Sequence, residues 1–168
     1  NDWGADIDVD ANGNAYICGT INWYVNFGSG NTIFAGGYDA AFVAKYDPNG
    51  SCIWAAELGN TQEDDNANGI ACDLLGNVIV TGTFSSYNGA GMFGSFAKYT
   101  AGDSYDIFAA RYTSNGTCTN VDVYGNTGKD HGHEALYKPS NNSFVLAGMF
   151  AGTVTFDATT LTVPGGLT

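Results

Sequence analysis

Apolar and polar residues alternate over short stretches of this chain, and turn-forming residues interrupt them at close intervals. Phe42, Ala44 and Tyr46 fall on one face of an extended segment, and Tyr16 and Cys18 share a face of another. This pattern predicts strands near 5–10, 14–20, 40–47 and 52–58, then near 68–73, 77–83, 106–113 and 118–124, and finally near 134–138 and 143–150. Asn12-Gly13 and Asn49-Gly50 supply residues that tolerate positive φ at tight turns, and Pro48 presets the first corner of its turn. No stretch carries helical periodicity, so the expected class is all-β.

The predicted strands recur in order. GNAYICGT at 13–20 returns as GNVIVTGT at 76–83, an offset of 63, and SFVLAGMF at 143–150 continues the register. Ile7, Ile70 and Leu136 occupy the matching first strands, while AFVAKYDPNG at 41–50 matches IFAARYTSNG at 107–116. Gly59-Asn60 matches Gly125-Asn126, and the connecting segment VNFGSGNTIFAGG at 25–37 aligns with VTFDATTLTVPGG at 154–166. Four antiparallel strands per unit, repeated around an axis, are propeller blades. The expected division is a first blade at 1–63, a second at 64–129 and a partial third at 130–168. The competing architecture is an open solenoid, whose repeats are usually more uniform in length.

The phrases IDVDANGNAYICGT, FAGGYDAAFVAKYDPNGSCIWAAELG and NANGIACDLLGNVIVTGTF resemble the bacterial SBBP-type beta-propeller repeat, as two full units and one half unit. That resemblance implies a place in a large extracytoplasmic bacterial protein, often multidomain or surface-associated. It carries no shared catalytic set, so no catalytic residue is transferred. The sequence departs from the regular pattern at 84–105, where extra strand-like material, including GSFAKYT at 94–100, enlarges the second unit.

Natural propellers close with about four to eight blades. An arc of two and a half therefore implies further blades of a longer chain, neighbouring copies that complete a ring or filament, or an open solenoid-like fold. A lone arc exposes sheet edges and apolar faces. Ile7, Val9, Ile70, Phe144 and Leu146 are the candidate assembly contacts.

Composition narrows the partners. The 168 residues (17.5 kDa) include 24 glycines and are 44% hydrophobic but only 13% charged, which suits many short strands and tight turns. A net charge of −12 disfavours nucleic acid and anionic lipid surfaces, which demand clustered positive charge. No apolar run is long enough to span a membrane as a helix. Scarce lysine with abundant Gly, Asn and Thr points to an extracellular or cell-surface location. Cys18, Cys52, Cys72 and Cys118 allow three full pairings, among which the sequence does not choose, and no CxxC pair favours zinc.

The candidate chemistry is sparse. Asp8, Asp10 and Asn12 form the D-x-D-x-N-G opening of a calcium loop, although Gly19 stands where a complete loop has its acidic ligand; the alternative is an Asx-type hairpin turn. Asp130, His131, His133 and Glu134 look like a metal or acid–base cluster, against which stands a solvated turn. Glu63, Asp64 and Asp65 read as a charged loop. No nucleophile elbow is present, and Gly89-Ala90-Gly91 lacks the GK[ST] of a phosphate loop. Trp54 belongs to a fourth-strand pattern and is assigned to the core. Trp23 and Tyr24, placed in the linker after the second strand, and Tyr87 in the equivalent linker, are candidate stacking residues for a sugar ring. The expected function is a non-enzymatic extracellular scaffold, without a cofactor unless calcium binds. The alternatives are a carbohydrate- or protein-binding propeller and a hydrolase propeller with acidic residues converging at the axis.

Overall fold

The computed structural model describes residues 2–59, 62–102 and 104–163. Asn60 of the Gly59-Asn60 pair and residues 164–168 of the third unit lie outside them. The described residues are all-β and antiparallel, with one 3₁₀ turn at Pro139–Asn141. Strands β1 (Trp3–Val9), β2 (Ala15–Gly28), β3 (Asn31–Tyr46) and β4 (Cys52–Gly59) form a meander. Next come β5 (Asn66–Cys72), β6 (Val78–Ser85), β7 (Gly91–Phe93), β8 (Phe96–Lys98), β9 (Tyr105–Tyr112) and β10 (Cys118–Tyr124). The second sheet runs in the order β10-β9-β6-β5. Two hairpins follow, β11 (His131–Lys138) with β12 (Ser143–Met149), and β13 (Thr153–Phe156) with β14 (Thr159–Thr162).

Two segments read as linkers are sheet. β2 and β3 run past their expected ends into a twisted arm, with Tyr24 opposite Phe34 and Val25 opposite Ile33. Trp23 and Tyr24 therefore lie within β2. The extra material at 84–105 does not enlarge the second sheet. Its strands β7 and β8 join the first sheet through Leu58 opposite Phe93 and Gly59 opposite Met92, which gives six strands. Both departures have one cause: an arm with one apolar face is stable only when that face is covered. Val25, Phe27 and Ile33 cover Phe42 and Ala44 on the first sheet, and Phe93 meets Phe84 and Phe108 between the first two sheets.

The sheets stack face to face. Tyr16, Cys18, Val43, Trp54 and Leu58 from the first meet Ile70, Val78, Val80, Phe108 and Tyr112 from the second. The opposite face of the second sheet, Ala71, Ile79 and Ala109, meets Ala135, with Phe144 and Leu146 alongside. Every residue of β6 is buried because sheets cover both its faces, which explains its unbroken apolar and small-residue sequence.

The repeated glycine before the end of each second strand has a packing origin. The first strand of each unit bulges between Gly4 and Asp6, Ala67 and Gly69, or Gly132 and Glu134. Each bulge throws a backbone carbonyl over the partner strand. A Cβ on Gly19, Gly82 or Gly148 would collide with the carbonyl of Trp3, Asn66 or His131 respectively.

Candidate functional site

Asp10 serves its own turn. Its Oδ1 accepts from the backbone amides of Asn12 (2.9 Å) and Asn14 (3.0 Å), and its Oδ2 accepts from Asn14 Nδ2 (2.8 Å) and the Tyr16 hydroxyl (3.2 Å). Burial works against its charge, but these donors outweigh it and hold the carboxyl below its ordinary pKa. Asp73 caps the equivalent turn with the same bonds to Leu75 and Asn77, and Asp47 caps another through Asn49 and Ser51. Asp8 faces elsewhere: its Oδ1 accepts from Val9 N–H and its Oδ2 from Cys72 N–H, each at 2.8 Å. The side chain of Asn12 is exposed. Each carboxylate oxygen of Asp8 and Asp10 is thus engaged by a protein donor. Among the described residues, no cluster of three or more His, Cys, Asp or Glu is arranged to hold a metal.

Asp6 repeats the device of Asp8, since its Oδ2 accepts from Ile70 N–H at 2.9 Å. Carboxylates on β1 thereby satisfy amides on the free edge of β5, joining neighbouring sheets through polar as well as apolar contacts.

A second recurring carboxylate closes each unit. Asp2, Asp65 and Asp130 accept from the backbone amides of Asn22, Ser85 and Ala151, each at 2.8 Å, two residues past the point where the unit's second strand stops pairing with its first. Asp130 is fully buried and also accepts from Asn126 N–H at 2.9 Å, bridging the end of one sheet to the start of the next. Asp65, read as part of a charged loop, is likewise fully buried at such a corner. The sequence signal for these clips was available: an Asp shortly before each first strand.

Asp106 lies at the corner that Asp130 closes, next to Tyr105, whose carbonyl accepts from Asp130 N–H at 2.8 Å. It is buried, its Oδ2 accepts from Ala101 N–H at 2.7 Å, and its Oδ1 has no hydrogen-bond partner among the described residues. Burial, opposed by the Ala101 hydrogen bond and aided by the nearby Asp130 charge, pushes its pKa up to about 6. Sequence reasoning missed it because nothing in the Tyr105-Asp106-Ile107 pattern announces that an acid is buried.

His131 and His133 are stacked with ring centroids 6.3 Å apart, and His131 Nδ1 lies 3.1 Å from Thr83 Oγ1. Burial, reinforced by His133 and Lys129, lowers the pKa of His131. His133 and Glu134 are exposed. The four cysteines are free thiols. Burial pushes Cys18 and Cys72 up to about 12, so both act as small apolar side chains.

Trp54 is core, stacked on Tyr112 at 6.1 Å, with Nε1 donating to the Ser114 carbonyl at 3.2 Å. Trp23 and Tyr24 are exposed on the arm, where Phe34 stands edge-on to Trp23 at 6.4 Å and exposed Tyr38 lies close in sequence to Asp39. Tyr87 is also exposed, but on the second unit's connection, next to Asn88, which donates to Glu63 Oε1. The structure groups Trp23 and Tyr24 with Phe34 rather than with Tyr87.

The expected assembly contacts divide in two. Ile7 and Val9 are exposed on the outer face of the first sheet. Ile70, Phe144 and Leu146 are not open faces: Ile70 is buried between the first and second sheets, and Phe144 and Leu146 pack against the second. The alternation of β12 turns Val145, with its cross-strand partner Leu136, to the opposite side, where both are exposed. Beside β12, a cavity of about 400 Å³ opens among Thr81, Ile107, Tyr124, Leu146, Phe150 and Phe156. The edge of β12 away from β11 pairs with no strand among the described residues.

Residues 53–88 match the SBBP family, described as a beta-propeller repeat. The matched stretch runs from β4 through β5 and β6, so it spans the step from the first sheet to the second. A beta-propeller repeat is therefore present in this chain. No curated protein matches the sequence.

Proposed function

We propose that the chain is a run of propeller blades, at 1–63, 64–129 and 130–168, acting as a non-enzymatic extracellular scaffold. Further blades, from a longer chain or neighbouring copies, cover its two outer faces. One observation carries this reading. Ile7 and Val9 are 60% and 54% exposed, whereas their counterparts in the second unit, Ile70 and Cys72, are 2% and 6% exposed beneath the first sheet. At the other end Leu136 and Val145 are 63% and 50% exposed, whereas their counterparts Ala71 and Ile79 are buried beneath the third unit. Positions that repeat a buried interface and stand open are the two halves of that interface without their partners.

The cavity beside β12 supports the same reading. In the second unit the matching edge of β6 pairs with β9 from Val78 opposite Tyr112 to Ser85 opposite Tyr105. A strand of that type, laid along β12, fills the cavity. The non-enzymatic role is supported by what the acids do: Asp6, Asp8, Asp10, Asp65 and Asp130 all accept bonds from backbone amides at turns, sheet corners and sheet contacts. The acidic, lysine-poor composition supports a place outside the cell or at its surface.

The test is the mass of the native particle from its source, measured both natively and under denaturing conditions. The proposal expects at least about four blades in the native particle, in one polypeptide or several. A native particle consisting of one 17.5 kDa chain overturns it.

A further inference from the structure

The arm formed by β2 and β3 carries an aromatic platform that the fold does not require. Asn22 pairs with Asp39 and Tyr24 with Phe34, so Trp23 alone faces the four residues 35–38. Trp23 has φ +73°, a left-handed conformation that bulky residues avoid, and Gly36 and Gly37 opposite it have φ +70° and +101°. The indole rests against the backbone at Gly37, where a Cβ would come within 3.3 Å of its Cζ2. Glycine beneath and Phe34 edge-on fix the ring, yet Trp23 remains 60% exposed, beside Tyr24 at 61% and Phe34 at 60%.

The β13–β14 hairpin provides an internal control. Its register places the pair Val154 and Leu161, of which Val154 is buried and Leu161 lines the cavity beside β12, where the arm has Val25 and Ile33. Its outward pairs are threonines, Thr153 with Thr162 and Thr155 with Thr160, each joined by Oγ atoms 2.9 Å apart. Those threonines remain exposed although the hairpin lies against the second sheet, with the Phe156 ring tilted against Tyr124 at a centroid distance of 5.2 Å. The arm bulges between Asn26 and Gly28 and the hairpin does not, so strand pairing shifts the sequence alignment by one residue on the return strand and puts Thr153 and Thr162 in the places of Tyr24 and Phe34. The hairpin position is thus satisfied by a polar pair, and its outward side stays in solvent with a neighbouring sheet alongside.

We propose that Trp23, Tyr24 and Phe34 form a binding platform for neutral pyranose sugars. A pyranose presents a C–H face that stacks on exposed aromatic rings and a rim of hydroxyls that needs planar polar groups. Here the Asn22 amide, bonded to Asp39 Oδ1 at 2.9 Å, adjoins the platform in sequence and pairing. Asp39 and Asp64, whose Oδ1 accepts from Asp39 N–H at 3.2 Å, and the net charge of −12 select against sulfated and uronate glycans. This proposal does not depend on the scaffold reading, because the platform is complete within one arm.

The test is calorimetric titration of the chain with cellohexaose and with hexa-N-acetylchitohexaose, using an oligogalacturonate of the same length as the charged control. Saturable binding of at least one neutral hexasaccharide is expected, and none of the uronate. Trp23→Ala weakens that binding at least about tenfold. The double variant Tyr24→Thr/Phe34→Thr, which copies the Thr153–Thr162 pair and keeps the melting temperature, weakens it comparably. Binding of neither neutral probe at millimolar concentration overturns the proposal. So does binding unchanged in the double variant, or a double variant that alters only association between chains.

Discussion

Replacing Asp106 by Asn stabilises the protein at neutral pH and not at acid pH. In the folded chain burial, with the Asp130 charge nearby, pushes this carboxyl up to about 6. An unfolded Asp titrates near pH 3.9. Between those values the folded state binds more protons than the unfolded state, so stability falls as pH rises through that window. Two pKa units correspond to about 3 kcal/mol, at 1.36 kcal/mol per unit, as an upper estimate of what ionising Asp106 costs above pH 6. Asn keeps an acceptor for the Ala101 amide, which Asp106 Oδ2 meets at 2.7 Å, and it never ionises. For a chain of this length the change corresponds to roughly 6–12 °C in melting temperature. Urea unfolding of both proteins at pH 4, 5, 6 and 7.5 isolates the pH-dependent part from any constant effect of the amide. A stability difference that is the same at pH 4 and 7.5, or that grows toward acid, refutes the reasoning.

Two further predictions test the corners and the faces. Asp130→Ala strands the amides of Asn126 and Ala151, and it is expected to cost about 2–4 kcal/mol in urea unfolding. Removing that charge also moves the Asp106 carboxyl back toward its ordinary value, which carboxyl-carbon NMR titration reads directly. Ile70→Asp places a charge between the first and second sheets and costs more than about 4 kcal/mol, while Ile7→Asp at the equivalent exposed position changes the stability of the isolated chain by about 0.5 kcal/mol or less. Equal losses from these two variants would contradict the assignment of open and covered faces.

The strand inventory was legible because it rests on local periodicity. The alternation around Phe42–Tyr46, the paired turns at Asn12-Gly13 and Asn49-Gly50 and the return of GNAYICGT as GNVIVTGT all express constraints that act within a hairpin. The same locality explains why Asp10 could be read either as a ligand or as a turn cap. A short D-x-D-x-N-G string holds oxygens for both, and the choice between them lies in Tyr16, Asn14 and the amide of Cys72, two of which belong to other strands.

What needed the tertiary structure is what depends on a second layer. Whether a strand continues beyond its turn signal is decided by whether another surface covers its apolar face, so the arm through Trp23 and Tyr24 and the transfer of β7 and β8 to the first sheet escaped the pattern. Whether Ile7 and Ile70, matched in sequence, are open or buried depends only on which sheet lies over them. The titration of Asp106 is set by desolvation, a property of its surroundings rather than of its neighbours in the chain. The sequence by itself determined the repeat, the all-β class and the turn chemistry, because those are fixed by interactions a few residues apart. The stacking of sheets decided which faces remain for partners, which aromatics stand together and which acid titrates well above its ordinary range, because burial is a property of the assembled layers.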